Sequence, residues 1–281
     1  MAQTINTNLN SLNAQRNLNM SQTSLSVSMQ RLSSGLRVNS AKDDAAGLAI
    51  AERMNAQVKG MNVAARNAND GISLAQTAEG ALGKISDALQ RMRELTVQSR
   101  NASNSDSDRD SLNKEFQQLS AEIIRVTAGT TFNGKPILAT DAAQDFQIGA
   151  NTTVNDIITI STTNMAADAS ITAVTDVTTV IDSTSTTTTL GDVINAIDGA
   201  LDRINSERAV YGATQSRFDA IISNLQVSAE NQTAARSRIM DADFAAETAA
   251  LSRAQILQQA GNAMVAQANA LPQQVLKLLQ G

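Results

Sequence analysis

The feature that most limits what this chain can fold into is a pair of long runs in which small and apolar side chains recur every third or fourth residue. One run covers 190–232, with Leu190, Ile194, Ile197, Leu201, Ile204, Arg208, Tyr211, Gln215, Phe218, Ile222, Leu225, Ala229 and Gln232 in unbroken 4,3 alternation. The other covers 44–100 and carries Met54, Val58, Met61, Ala65, Ala68, Ile72, Ala75, Glu79, Leu82, Leu89 and Met92, with one irregular step at Ile85 and Ser86. Such spacing puts a narrow seam along one side of an α-helix and asks for a partner helix along its whole length. Helical throughout, 44–100 would be about 85 Å long, well beyond a usual globular helix. Gly71, Gly80 and Gly83 each weaken it locally.

Shorter stripes lie outside these runs. Ile5, Leu9, Leu12, Leu18, Leu25, Met29, Leu32 and Leu36 mark one near the start, and Leu257, Met264, Ala268, Leu271, Val275 and Leu278 mark another near the end. Pro272 inside the second stripe is expected to bend the helix or to remove one of its hydrogen bonds. A polar break at 35–42 leads to Asp43 and Asp44, which suit the first turn of a helix, as do Asp241 and Asp243. No base, nucleophile or pocket signal accompanies either acid pair, so capping is the reading preferred over catalysis. After a polar loop at 101–110, Leu112, Phe116, Leu119, Ile123 and Val126 predict a third helix that folds back on the second.

The middle of the chain changes character. Phe132, Asn133-Gly134, Pro136-Ile137-Leu138, Phe146-Gln147-Ile148 and 157–160 read as short strands with hairpin turns. The Thr-rich stretch 161–189 supports either exposed strands or a mobile loop. The fold predicted is mainly α: a long antiparallel helical coiled-coil rod with a small β-hairpin region in the middle of the chain. Its expected parts are a terminal helix and connecting segment at 1–42, a helical domain with β-hairpins at 43–160, a short surface segment at 161–189, the returning half of the helical domain at 190–235, and a second terminal helix at 236–281.

Composition then removes most alternatives. The chain has no Cys and no His, which excludes disulfides, thiolate or imidazole metal sites, and catalytic dyads built on those groups. No cofactor and no catalytic residues are expected, and a His-Glu-x-x-His zinc protease is ruled out. A formal charge of -5 without a clustered basic face argues against a nucleic-acid partner. No stretch approaches the roughly 20 apolar residues that span a bilayer, so no membrane insertion is expected. Residues 1–15 lack the cationic start and apolar run of a cleaved secretory signal.

The faces of the terminal stripes not occupied by apolar residues carry mostly Asn, Gln, Ser and Thr rather than Lys and Glu. Faces of that kind can be buried against neighbours. The ends are therefore expected to order fully only when further copies supply more surface, and a contact that repeats without closing gives a filament.

Several runs are specific enough to indicate a family. LSSGLRVNSAKDDAAGLAI at 32–50 closely resembles the N-terminal signature of bacterial flagellins, as do MAQTINTN at 1–8 and ARNANDGISLAQTAEGAL at 65–82. RFDAIISNLQ at 217–226, RSRIMDADFAAETA at 236–249 and QANALPQQVLKLLQG at 267–281 are similar to the flagellin C-terminal region. The resemblance covers about 1–160 and 190–281. It implies a structural, non-enzymatic subunit that polymerises into the extracellular flagellar filament for swimming. Paired terminal helices would line an inner tube and the longer helices and hairpins an outer one. The resemblance implies a short form, with 161–189 as its outermost decoration. The rival reading is a hook–filament junction protein, whose ends are flagellin-like but would match these runs less tightly; an unrelated coiled-coil adhesin explains the heptads and not the motifs.

The resemblance also implies partners. These are further copies of the chain, a flagellar cap protein, hook-associated junction proteins, and an export chaperone on the C-terminal helix, with export through the flagellar type III apparatus and no cleaved signal peptide. It implies recognition by the flagellin-sensing Toll-like receptor through Gln90, Arg91, Leu95 and Glu115, although Met92 and Thr96 vary the motif. Arg91 and Leu95, four residues apart, would be touched together by one partner surface. Val275, Leu276, Leu278 and Leu279 resemble the leucines read by cytosolic inflammasome sensors, and packing of the inner tube is their other expected role. The stripe expected to line that tube is Ile5, Leu9, Leu12, Leu257, Met264 and Leu271.

Overall fold

Each helix starts or stops where a side chain or a left-handed residue can satisfy the free backbone groups at its end. The computed structural model describes residues 7–280, with side chains as far as residue 270. Helix α1 (Leu9–Ser34) opens at Asn8, whose side chain accepts from the Ser11 N–H. It closes at Gly35, which at φ 72° returns its N–H to Arg31 O. Helix α2 (Ala45–Ser99) begins after the two aspartates. Asp43 Oδ2 accepts from the Asn39 and Ser40 N–H groups, and Asp44 Oδ1 accepts from the Gly47 N–H at 2.8 Å. Helix α3 (Asp106–Gly129) opens with a reciprocal box in which Ser105 and Asp108 each accept from the other's N–H. That box brings the helix start inside the stretch read as loop at 101–110.

Two small hairpins follow. Strands β1 (Thr131–Phe132) and β2 (Lys135–Pro136) pair antiparallel across Asn133 at φ 48° and Gly134 at φ 76°, a turn that needs positive φ at both positions. Strand β3 (Ala142–Gln147) pairs with β4 (Ile157–Thr162) in the register Gln144↔Ile160 and Phe146↔Ile158. Ile158, Ile160 and Thr162 point inward and alternate with exposed residues, as the period of two requires.

In the stretch 161–189 the first two residues finish β4 and the last three open α5, and between them lies a short helix with an irregular strap. Asp168 accepts from the Ser170 N–H and starts α4 (Ala169–Thr175), which buries Ile171 and Val174; Ile181 is buried further on. The rest is strapped along α3 by bonds to its main chain. Arg109 donates to Ser185 O, Gln117 to Thr179 O and Ser120 to Thr175 O, while Asn113 Oδ1 accepts from the Ile181 N–H. Polar composition hid this order because α3 reads the backbone of the strap, and the few apolar residues suffice to anchor it.

Helices α5 (Thr187–Met240) and α6 (Phe244–Gln280) complete the chain. Asp243 accepts from the Ala245 and Ala246 N–H groups and caps α6, which is helical through Pro272. Among the described residues no helix is long and apolar enough to cross a membrane.

The chain divides into two units, one of 57–230 and one joining 1–56 to 231–281. In the first, α2 lies between two partners. Arg91 reaches Glu115 of α3 at 2.8 Å, and Arg93 reaches Asp198 of α5 at 2.7 Å. Serving two helices widens the buried face of α2, which accounts for the irregular step: Ile85 and Ser86 are both inside, 1% and 5% exposed. Leu74, Leu82, Leu89, Met92, Phe116 and Phe218 fill the core. In the other unit, Val38, Ala51 and Met240 form a small cluster beside the bonds from the Arg37 and Val38 N–H groups to Met240 O.

Candidate functional site

Within the unit formed by 1–56 and 231–281, α1 and α6 pack antiparallel. Asn8 Nδ2 donates to Ala268 O at 2.7 Å, Ser11 Oγ to Asn269 Oδ1 at 2.7 Å, and at the other end Arg31 pairs with Glu247 at 3.8 Å. The inward positions are Ser11, Ala14, Leu18, Ser21, Leu25, Ser28 and Leu32 on α1, facing Glu247, Leu251, Ala254, Gln258, Gly261, Val265 and Ala268 on α6. Both series step by alternating threes and fours, a true heptad seam. Half its members are Ser, Ala or Gly, so the two backbones approach closely. A β-carbon on Gly261 would stand 3.1 Å from Leu18 Cδ1.

This seam takes in part of the predicted stripes, for Leu18, Leu25, Leu32 and Ala268 lie on it, and leaves the rest outside. Of the stripe read from the sequence, Leu9, Leu12, Leu257 and Met264 lie off it and are 63%, 51%, 51% and 58% exposed. Ile5 and the side chain of Leu271 fall outside the described residues, as do the side chains of Val275, Leu276, Leu278 and Leu279. The reason is geometric: in a two-helix pair only one narrow strip can face inward, and here Leu18, Leu25, Leu32, Leu251 and Val265 share it with small residues, which leaves the remaining large side chains outward. Met20, Met29, Phe244 and Ile256 join the exposed set. Scanning for large apolar residues caught Leu18, Leu25 and Leu32 and passed over the Ser, Ala and Gly between them; a scan for small residues in heptad register would have added these.

Two open grooves flank the pair. One, of about 550 Å³, is lined by Ala14, Asn17, Leu257, Gly261 and Met264; the other, of about 710 Å³, by Arg16, Met20, Val27, Glu247 and Ala250. Their polar walls are uncharged amides and hydroxyls for the most part. Ser21 and Thr23 return their hydroxyls to the backbone of α1 at Asn17 O and Asn19 O, so these two donors stay satisfied if the faces are covered.

In the 57–230 unit the residues Gln90, Arg91, Leu95 and Glu115 do not share one surface. Gln90, Arg91 and Glu115 are exposed, and Arg91 is held by Glu115 at 2.8 Å and by Glu94 at 2.9 Å. Hydrogen bonds to these two carboxylates raise the Arg91 pKa above its ordinary value. Leu95 is 0% exposed and belongs to the core cluster. Four residues along a helix turn by about 40°, enough here to carry Leu95 inward, so a surface resting on Arg91 would not reach it.

A further cluster escaped the sequence reading. Arg203 on α5 donates to Asp168 Oδ2 at 2.8 Å and pairs with Glu207 Oε1 at 2.8 Å, and Thr163 donates to the same Glu207 oxygen at 3.0 Å. Burial works against the Asp168 carboxylate, but the bonds from Arg203 and Ser170 outweigh it and hold its pKa below the usual range. The cluster joins the start of the strap to α5. With every member in a hydrogen bond, it is a structural clamp.

Comparison with known proteins finds matches toward both ends of the chain. Residues 5–143 match the model of the bacterial flagellin N-terminal helical region, and 194–279 match that of the bacterial flagellin C-terminal helical region. A flagellin of Halalkalibacterium halodurans is 45% identical over 98% of this chain and 99% of its own length. A flagellin of Bacillus subtilis is 42% identical over 98% and 99%. Among solved structures, a flagellar hook-associated protein from Vibrio parahaemolyticus superposes with a TM-score of 0.61 at 13% identity, covering 71% of this chain and 100% of that one; this is a likeness of fold alone.

Proposed function

The chain belongs to the bacterial flagellin family, whose members are structural subunits of the extracellular flagellar filament and not enzymes, and we propose that it polymerises through the outward faces of α1 and α6. One observation carries this reading. Leu9, Leu12, Met20, Ile256, Leu257 and Met264 stand more than half exposed beside a seam that is already closed within the pair. Burying such side chains is worth about 1.5–3 kcal/mol each, and within a single copy that stabilisation is left unused. A second copy laid into the flanking grooves collects it, and the uncharged amides and hydroxyls around them can be desolvated in exchange for new hydrogen bonds.

The test is a Leu12→Asp, Leu257→Asp double variant. Its monomer keeps its helix content by circular dichroism, because both residues are exposed. Sedimentation and electron microscopy after salt-induced polymerisation should find no filaments. Normal filaments at the usual protein concentration would remove these faces from the assembly contact.

The finer partners rest on the family and on the same surfaces. The cap protein and hook-associated junction proteins meet the ends of the polymer, where the α1 and α6 faces have no further copy. Before assembly an export chaperone covers α6, and passage through the flagellar type III apparatus requires no cleaved signal. The exposed trio Gln90, Arg91 and Glu115 is the surface offered to a Toll-like receptor, with Leu95 supporting it from behind. The Val275, Leu276, Leu278 and Leu279 group is offered to inflammasome sensors.

A further inference from the structure

The chain contains no Cys, no Trp and no His, and its one Tyr is buried, so its only exposed side chains open to mild oxidation are methionines. The fold sorts these sharply. In the 57–230 unit every methionine is inside: Met61, Met92 and Met165 are 7%, 0% and 1% exposed. In the other unit Met240 is 6% exposed and Met54 half-buried, whereas Met20, Met29 and Met264 are 56%, 57% and 58% exposed. Every strongly exposed methionine among the described residues thus lies on α1 or α6, off the seam between them. Met20 lines one flanking groove and Met264 the other.

We propose that Met20, Met29 and Met264 make assembly sensitive to oxidation: a hydroperoxide reaching the free subunit converts them to sulfoxides and the subunit no longer joins the filament. The thioether sulfur attacks one peroxide oxygen, the O–O bond breaks, and the oxidant leaves as water or an alcohol, so sulfur loses the two electrons that the peroxide gains. The product is polar, with a strong acceptor oxygen where a soft apolar sulfur had been. An acceptor carried into a subunit contact that was formed by thioethers finds no donor placed for it, and its lost hydration is not recovered. The α1–α6 pair itself is untouched, because its seam holds no methionine. Contact with a second copy shields the same sulfurs, so an assembled filament resists what a free subunit does not. Sulfoxide formation is reversible by enzymatic reduction, which makes the block a switch.

The inference rests on the assembly reading given above, and its test separates the two. Purified monomer is treated with dilute hydrogen peroxide and mapped by peptide mass, then polymerised by salt beside untreated protein and beside an M20L/M29L/M264L variant. Oxygen should be found first on Met20, Met29 and Met264 in the monomer and much less in preformed filaments. The concentration needed for polymerisation should rise at least ten-fold after treatment and return on incubation with methionine sulfoxide reductase. The leucine variant, matched in volume, should polymerise alike before and after peroxide. Unchanged polymerisation of the oxidised protein overturns the proposal, and so does equal inhibition of the leucine variant. Failure of untreated protein to polymerise overturns the assembly reading itself, and this one with it.

Discussion

Gly71 of α2 sits so close to the ring of Phe218 on α5 that a β-carbon on residue 71 would stand 2.7 Å from Cζ and 2.9 Å from Cε2. The ring has little freedom to withdraw, because Phe146 packs against it edge-on, centroids 5.8 Å apart and planes at 79°. Glycine here is a packing residue. Gly71→Ala gains about 1 kcal/mol of helix propensity and loses about 1–3 kcal/mol to overpacking, for a net destabilisation. Gly80 has no neighbouring atom within 4 Å of an added β-carbon, and Gly80→Ala should stabilise by about 0.5–1 kcal/mol. Thermal unfolding of the two variants should move the melting temperature in opposite directions; a shared direction would remove Phe218 as the cause.

Tyr211 is 1% exposed, and its hydroxyl is buried with no hydrogen-bond partner. Burial, helped by the negative charge of Glu207, pushes its pKa up to about 12. The folded value lies above the unfolded value near 10, so the associated stability is present in full below about pH 10 and is lost as the pH climbs toward the folded value. As the chain has one Tyr and no Trp, the phenolate absorbance reports this residue alone. The phenolate band should appear together with loss of helix above pH 10, and near pH 10 in denaturant. Tyr211→Phe should be neutral or stabilising by about 1 kcal/mol at pH 7, since it removes an unsatisfied buried group, and should unfold at higher pH than the parent.

The Arg203 clamp gives the strap its attachment to α5. Arg203→Met leaves Glu207, whose side chain is 9% exposed, without its counter-charge. Losing one partner of a buried pair costs about 3–5 kcal/mol; with Arg203 itself partly exposed, about 2–3 kcal/mol is expected. Much of it should appear locally, as faster limited proteolysis within 161–189 at unchanged overall helix content. The acid response follows from Asp168. Its folded pKa lies below the ordinary value near 4, so the contribution is present above pH 4 and lost as the pH falls through the folded value. Proteolysis of the parent chain should accelerate below pH 4, and the Arg203→Met chain should show little such dependence.

The helices were legible because their signal is long. Leu82, Leu89 and Met92, or Ile197, Ile204, Tyr211 and Phe218, repeat over enough turns for periodicity to outweigh single glycines, and all of them are buried. Asp43, Asp44 and Asp243 were legible as caps because capping is local. What escaped depends on tertiary partners. Half of the α1–α6 seam escaped in this way, since Ser11, Ser21 and Ser28 between Leu18, Leu25 and Leu32 become inward positions only once Ala254, Gly261 and Ala268 are known to face them. The strap at 161–189 reads as low complexity because α3 recognises its carbonyls, and carbonyls leave no trace in the residue types. Leu95 was misplaced for a related reason: counting i to i+4 puts it near Arg91, while burial depends on how far around α2 its two partner helices reach.

That placement sets how any receptor measurement on this chain must be read. Leu95 is fully buried in the 57–230 core, so Leu95→Ala removes packed methyl groups and should cost about 2–5 kcal/mol. Arg91 and Glu115 lie at the surface, and Arg91→Asp places two acidic side chains opposite each other without touching the core. Melting curves should therefore fall clearly for Leu95→Ala and little for Arg91→Asp. In a Toll-like receptor reporter assay, Arg91→Asp should reduce signalling with the fold intact, which isolates a surface effect. For Leu95→Ala, signalling should track the folded fraction, and recovery at low temperature, where the variant refolds, should be complete. If Leu95→Ala abolished signalling while melting like the parent chain, the side chain would have to be reached from outside, and α2 would have to present a different face from the one described.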